Sequence, residues 1–133
     1  MKIALPVWEG KISPVFDTAS KLLVLQLEEN KERYRFETEL HEKELTRRCS
    51  RIKNLDVDLL ICGGISRQFY RMLTGAGIHV ICWICGVAED VLDAYRDGTL
   101  HRSQFLMPGW EWVKEESGPM DSKRDNKKPE DIM

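Results

Sequence analysis

Val57-Asp58-Leu59-Leu60-Ile61-Cys62-Gly63-Gly64-Ile65-Ser66-Arg67-Gln68-Phe69 is the stretch that decides the fold. Val57 to Cys62 is a short, nearly continuous apolar run, the pattern of a strand covered on both faces, and it stops at paired glycines. Ser66 then stands where its hydroxyl can cap a helix bearing Phe69, Met72 and Leu73, which Gly75 and Gly77 end. Ile78 to Cys85 is a second apolar run, closed by Gly86. In the next segment, Val87 to Asp97, the residues Val87, Val91, Leu92 and Tyr95 form a helical stripe. Glu89 and Asp90 suit that helix's positive N-terminus and Gly98 its C-cap. Strands joined by helical crossovers lie parallel.

Toward the N-terminus the pattern changes. Ile3 to Trp8 is apolar throughout and fits a central strand ending at Glu9-Gly10. Lys21 to Glu28 is β-compatible and Glu29 to Glu32 is a polar turn. Beyond it Tyr34, Phe36 and Thr38 alternate with charges, which predicts a hairpin whose second arm is a half-exposed edge. From Leu40 to Lys53 the residues Leu45, Cys49 and Ile52 recur at helical spacing, and the charges between them form a solvated face. The order βββαβαβα predicts an α/β domain over residues 1–106: a ribonuclease H-like mixed five-stranded sheet with helices on both faces. After Phe105 the periodicity fails, so 107–133 is expected to be a charged, flexible C-terminal tail. Trp110 and Trp112 stand at its start as a flap on the domain or an anchor for a partner.

Composition bounds the function. A chain of 133 residues is one domain. Its net charge is −2, and the first 106 residues hold fifteen charges of each sign. A neutral body lacks the basic stripe that nucleic-acid binding needs. The longest uncharged stretch, Met72 to Ala88, carries three glycines and His79 and is too short and polar to span a membrane, and the start shows no secretory signal. A cytosolic protein is expected, in which Cys49, Cys62, Cys82 and Cys85 stay as thiols.

In an open sheet with parallel strands, ligands bind beyond the strands' carboxyl ends. There the chain delivers Trp8, Glu9 and the segment Ser13-Pro14-Val15-Phe16-Asp17, then Cys62, Gly63, Gly64 and Ser66, then Trp83 and Cys85. Gly63 and Gly64 open an approach for a bulky or anionic ligand to the amides of Ile65 and Ser66; equally, they suit a tight turn and nothing more. Cys82-Trp83-Ile84-Cys85 is a lone C-x-x-C with no second pair to complete a zinc site, and Cys82 falls inside the predicted strand, away from any helix N-terminus that would activate it. Cys49 and Cys82 read as core residues, and Cys62 and Cys85 as possible metal ligands. His41, His79 and His101 read as surface or structural. Two-metal nuclease chemistry lacks its acids: none precedes Glu9 in the first strand, and none lies between Leu59 and Ala88. No phosphate loop, nucleophile elbow or zinc-protease helix is present, and no catalytic residue is assigned.

These residues resemble the dinitrogenase iron–molybdenum cofactor biosynthesis family. The likeness covers about Met1 to Leu100 and is carried by Lys2-Ile3-Ala4-Leu5-Pro6-Val7, Ser13-Pro14-Val15-Phe16-Asp17-Thr18-Ala19, Val57 to Ile65, Gly77-Ile78-His79-Val80, and Ala94-Tyr95 with Gly98. The resemblance implies a ribonuclease H-like fold and a non-catalytic carrier of an iron–molybdenum or related metal–sulfur cluster in cofactor assembly for nitrogen fixation. Its partners would be proteins that donate and accept that cluster. In the family's second motif a histidine commonly precedes the phenylalanine and a glycine follows it; here Val15 and Asp17 hold those places. The implied site is Ser13, Phe16, Cys62, Gly63, Gly64, Ser66 and Cys85, with Cys85 and Cys62 as thiolate ligands. The alternative is an interaction or regulatory domain of the same fold that has lost the cluster.

Overall fold

The computed structural model describes residues 1–113 and 118–121, with side chains described for residues 1–109. The strands are β1 (Lys2–Trp8), β2 (Lys11–Ile12), β3 (Lys21–Glu28), β4 (Lys31–Glu39), β5 (Leu59–Ile61) and β6 (His79–Ile81), and the helices are α1 (Leu45–Asn54), α2 (Arg67–Gly75) and α3 (Ala88–Asp97). They form a mixed α/β fold with strand order β4-β3-β1-β5-β6, the five strands expected, and β2 is a sixth, paired to the end of β1. β1 and β3 run antiparallel, as do β3 and β4, whereas β5 is parallel to both β1 and β6.

The apolar character of β1 at both parities has its cause in this order. Ile3, Leu5 and Val7 face α3, packing with Leu23, Leu25, Leu59, Ile61, Val91 and Leu92. Ala4 faces the other way, with Leu22, Val24, Leu60, Ile52 of α1, and Phe69 and Leu73 of α2. Helices therefore cover both faces. The local signals are realised at the predicted places: the Phe69 N–H donates to Ser66 Oγ at 3.2 Å, and Gly98 ends α3 with φ +75°. Glu29 and Asn30, both at positive φ, make the tight turn between β3 and β4.

Three expectations are corrected. β6 stops at Ile81, because Trp83 takes φ +65° and turns the chain, so Cys82 lies just beyond the strand and not inside it. Val87 is the exposed residue preceding α3 and not part of its buried stripe. Within the segment after Phe105, β7 (Trp110–Val113) and β8 (Gly118–Asp121) pair antiparallel, and Trp110 and Trp112 both lie on β7. Of the expected tail, residues 114–117 and 122–133 lie outside the described residues.

Finally, the charges of α1 are not all solvated. Arg48 is 3 % exposed. It occupies the buried stripe between Leu45 and Ile52, and its Nη2 donates to the carbonyls of Phe16 and Ala19, both at 2.7 Å, while Nη1 donates to the Glu42 carbonyl at 2.9 Å. The guanidinium also lies 5.8 Å from the Phe16 ring centroid and 6.0 Å from that of Phe69. Buried carbonyls of an irregular segment need donors, and Arg48 supplies them. Arg48→Met is expected to cost about 3 kcal/mol in urea unfolding, because the Ala19 and Glu42 carbonyls lose the guanidinium donor and the Phe16 carbonyl keeps only the Ala19 N–H. Arg47→Met, on the exposed face, should stay within about 0.5 kcal/mol of the native protein.

Candidate functional site

The loops at the carboxyl end of β1, β5 and β6 are woven together by backbone. After β2 the chain passes directly over the end of β5: Ser13 N–H donates to the Pro6 carbonyl (2.9 Å), Gly64 N–H to the Pro14 carbonyl (2.7 Å) and Phe16 N–H to the Gly64 carbonyl (2.8 Å). Val15 and Gly64 thus pair as a parallel bridge. On the other side Trp83 N–H donates to the Gly63 carbonyl at 2.9 Å. The paired glycines serve this crossing. A Cβ on Gly63 would lie 2.7 Å from the Ser13 carbonyl oxygen and 2.8 Å from that of Pro14; one on Gly64 would lie 3.1 Å from both the Pro14 oxygen and the Trp83 ring. The space they leave is filled by the chain itself.

The N-terminus of α2 has an internal anion. Asp17 Oδ1 accepts from the Ser66 N–H at 2.8 Å, so the carboxylate takes the place of an external anion at that helix end. Its charge also attracts Arg48.

The structure brings Ser13, Gly63 and Gly64 into contact, with Ser66 and Asp17 beside them. Phe16 is fully buried, stacked on Phe69 with ring centroids 4.9 Å apart, and is a core residue behind the crossing. Cys62 is fully buried as well, and burial pushes its thiol well up. Cys82 is buried and pushed up to about 12. Cys85 is half-buried, raised by burial, and its Sγ lies 4.0 Å from the Gln104 carbonyl; Cys49 is also half-buried, on α1. Among the described residues no cluster of three or more histidine, cysteine or acidic side chains could hold a metal ion.

Three large apolar side chains at this end of the sheet are solvent-exposed: Trp8 (55 %), Val15 (47 %) and Val87 (43 %). They project from the end of β1, the crossing and the loop before α3. Sequence reading named Trp8 and Val15 as residues of this end but gave no sign that they stay uncovered. Arg48 it missed; its place in the stripe between Leu45 and Ile52 was the available signal.

The profile of the family described as dinitrogenase iron-molybdenum cofactor matches residues 1–98. The chain belongs to that family. Among solved structures, the protein PH0822 is similar in fold at TM-score 0.70 and 21 % identity, over 74 % of this chain and 90 % of that one. A Methanocaldococcus jannaschii protein assigned as a dinitrogenase gives 0.61 and 20 %, over 74 % and 90 %. A Thermotoga protein assigned as NifB, of the DUF35 family, gives 0.59 and 19 %, over 74 % and 89 %. No curated protein matches the chain. Among the described residues no helix is long and apolar enough to cross a membrane.

The thiols differ in a way that can be measured. At mildly alkaline pH alkylation should modify Cys85 and Cys49 first and reach Cys62 and Cys82 only on unfolding, as read by mass spectrometry. Because burial raises the folded Cys82 thiol above its unfolded value of about 8.5, the folded state holds that proton more tightly. Its contribution to stability is complete below about pH 8.5 and is lost as pH rises toward 12. Urea unfolding at increasing pH should show this decline, and Cys82→Ala should flatten part of it.

Proposed function

We propose that the protein is a non-catalytic carrier that receives a preformed iron–molybdenum or related metal–sulfur cluster from one protein and releases it to another. The observation that carries this reading is membership of the cofactor family across the whole folded sheet, residues 1–98. Support comes from the carboxyl end of the sheet, where a half-buried thiol, Cys85, accompanies the exposed apolar surface of Trp8, Val15 and Val87. A cluster is large, soft and anionic, so thiolate and apolar surface suit it better than carboxylates.

In this reading Cys85 is the principal ligand, and metal binding displaces its proton. Ser13, Gly63, Gly64 and Ser66 shape the wall behind it, and Phe16 anchors that wall in the core. Cys62 joins as a second ligand only if the crossing segment lifts, since it is fully buried beneath it. With Val15 in the position of the family's usual histidine, binding is weak, which suits cargo that must be handed on.

One observation favours the alternative of an interaction domain without a cluster: Asp17 and Pro14 already take the Ser66 and Gly64 amides that an anion would use. Anaerobic reconstitution of the full chain with iron, sulfide and molybdate separates the two. A charge-transfer absorption band is expected, diminished more by Cys85→Ser than by Cys49→Ser. Equal bands in the two variants would remove Cys85 from the site, and no band in the native protein would favour the interaction domain.

A further inference from the structure

The free edge of the sheet is β4, and its residues are exposed except for half-buried Thr38. Tyr34 and Phe36, 46 % and 38 % exposed, stack on each other on one face of this strand with centroids 6.4 Å apart. Leu40 N–H donates to the Ser20 carbonyl, and Thr38, Phe36 and Tyr34 lie opposite Leu22, Val24 and Gln26. In an antiparallel ladder the direction of the backbone groups alternates, so those of Tyr34, Phe36 and Thr38 turn toward β3 and those of Arg35 and Glu37 turn outward. The one irregularity of the ladder falls between Gln26 and Leu27, so the edge from Tyr34 to Thr38 is regular.

That edge is its own complement. About a two-fold axis through Phe36, Arg35 meets Glu37 of a second copy, Phe36 meets Phe36, and Tyr34 meets Thr38. Shifting the axis by one residue sets Arg35 on Arg35 or Glu37 on Glu37, so charge fixes the register. Arg35 is held in place beforehand by hydrogen bonds to Glu32 on its own strand and Glu89 of α3, and a partner needs to order little. Glu32 is in turn held below the usual carboxylate range by the Arg35 hydrogen bond, which keeps the network charged.

We propose that β4 is a homodimer interface, in which two copies pair antiparallel about Phe36, join their sheets into one and cover the exposed Tyr34 and Phe36 rings. The interface adjoins the carboxyl-end loops, since Arg35, Phe36 and Glu37 line one pocket with Gly10 and Val87, but it does not depend on the cluster reading. Arg35 and Glu37 flank Phe36 with opposite signs, an order that complements itself when the strand is reversed.

Sedimentation of the full chain over a wide concentration range tests it. The native protein should show a concentration-dependent dimer. Glu37→Arg and Arg35→Glu should each be monomeric, and a mixture of the two should regain the dimer, since each then offers the other's complement. If Arg35→Glu fails to fold, Phe36→Cys supplies an independent readout. On the axis its Cα atoms would lie about 4.5 Å apart, within disulfide reach. Mild oxidation should therefore cross-link Phe36→Cys but leave Tyr34→Cys at the background set by native Cys49 and Cys85. A monomer at every concentration, a dimer that survives Glu37→Arg, or Phe36→Cys that cross-links no better than Tyr34→Cys would overturn the proposal.

Discussion

The crossing of the Ser13–Asp17 segment over Gly63 and Gly64 is the contact on which the carboxyl end of this sheet depends. Three strands reach their carboxyl ends there, and each would leave backbone groups unmet without a partner. The crossing pairs the end of β1, through Pro6 and Ser13, with the end of β5, through Gly64, while Trp83 pairs the turn after β6 with Gly63. Only glycine permits so close an approach, since a Cβ on Gly63 would press within 2.7 Å of a backbone oxygen. The loops therefore behave as an extension of the sheet.

Two charged residues complete this arrangement from beneath. Arg48 reaches from α1 to the carbonyls of Phe16 and Ala19, closing the far side of the crossing, and Asp17 reaches to the start of α2. Together they tie helices α1 and α2 to one short segment of chain. Trp8, Val15 and Val87 are exposed at this end, and Cys85 is the thiol there with partial access to solvent.

Much of the fold was legible because it rests on local signals that tertiary packing reinforces. The double-sided apolar strand Ile3 to Trp8, the Ser66 cap and the Gly98 terminus each act within a few residues, and each appears where the pattern placed it. The failures have a common cause in nonlocal demand. Nothing near Arg48 in sequence announces the Phe16 and Ala19 carbonyls it serves, which lie 32 and 29 residues away, although its position in the helical stripe was a usable clue. Likewise Cys82 falls outside the strand because Trp83 turns the chain to meet Gly63. Within the candidate site, the glycine pair was readable as a point of close approach, but its occupant, the chain's own Pro14, was not. Phe16 and Cys62 belonged to the right region of sequence and proved to be its buried support.

Amide hydrogen exchange measured residue by residue on the native protein tests the rigidity of the crossing most directly. The amides of Gly64, Phe16 and Ser66 should exchange as slowly as those of β1 and β5, opening only with the core. Rapid exchange at these three positions, with β1 and β5 still protected, would mean that the crossing stands open in solution and would contradict the account.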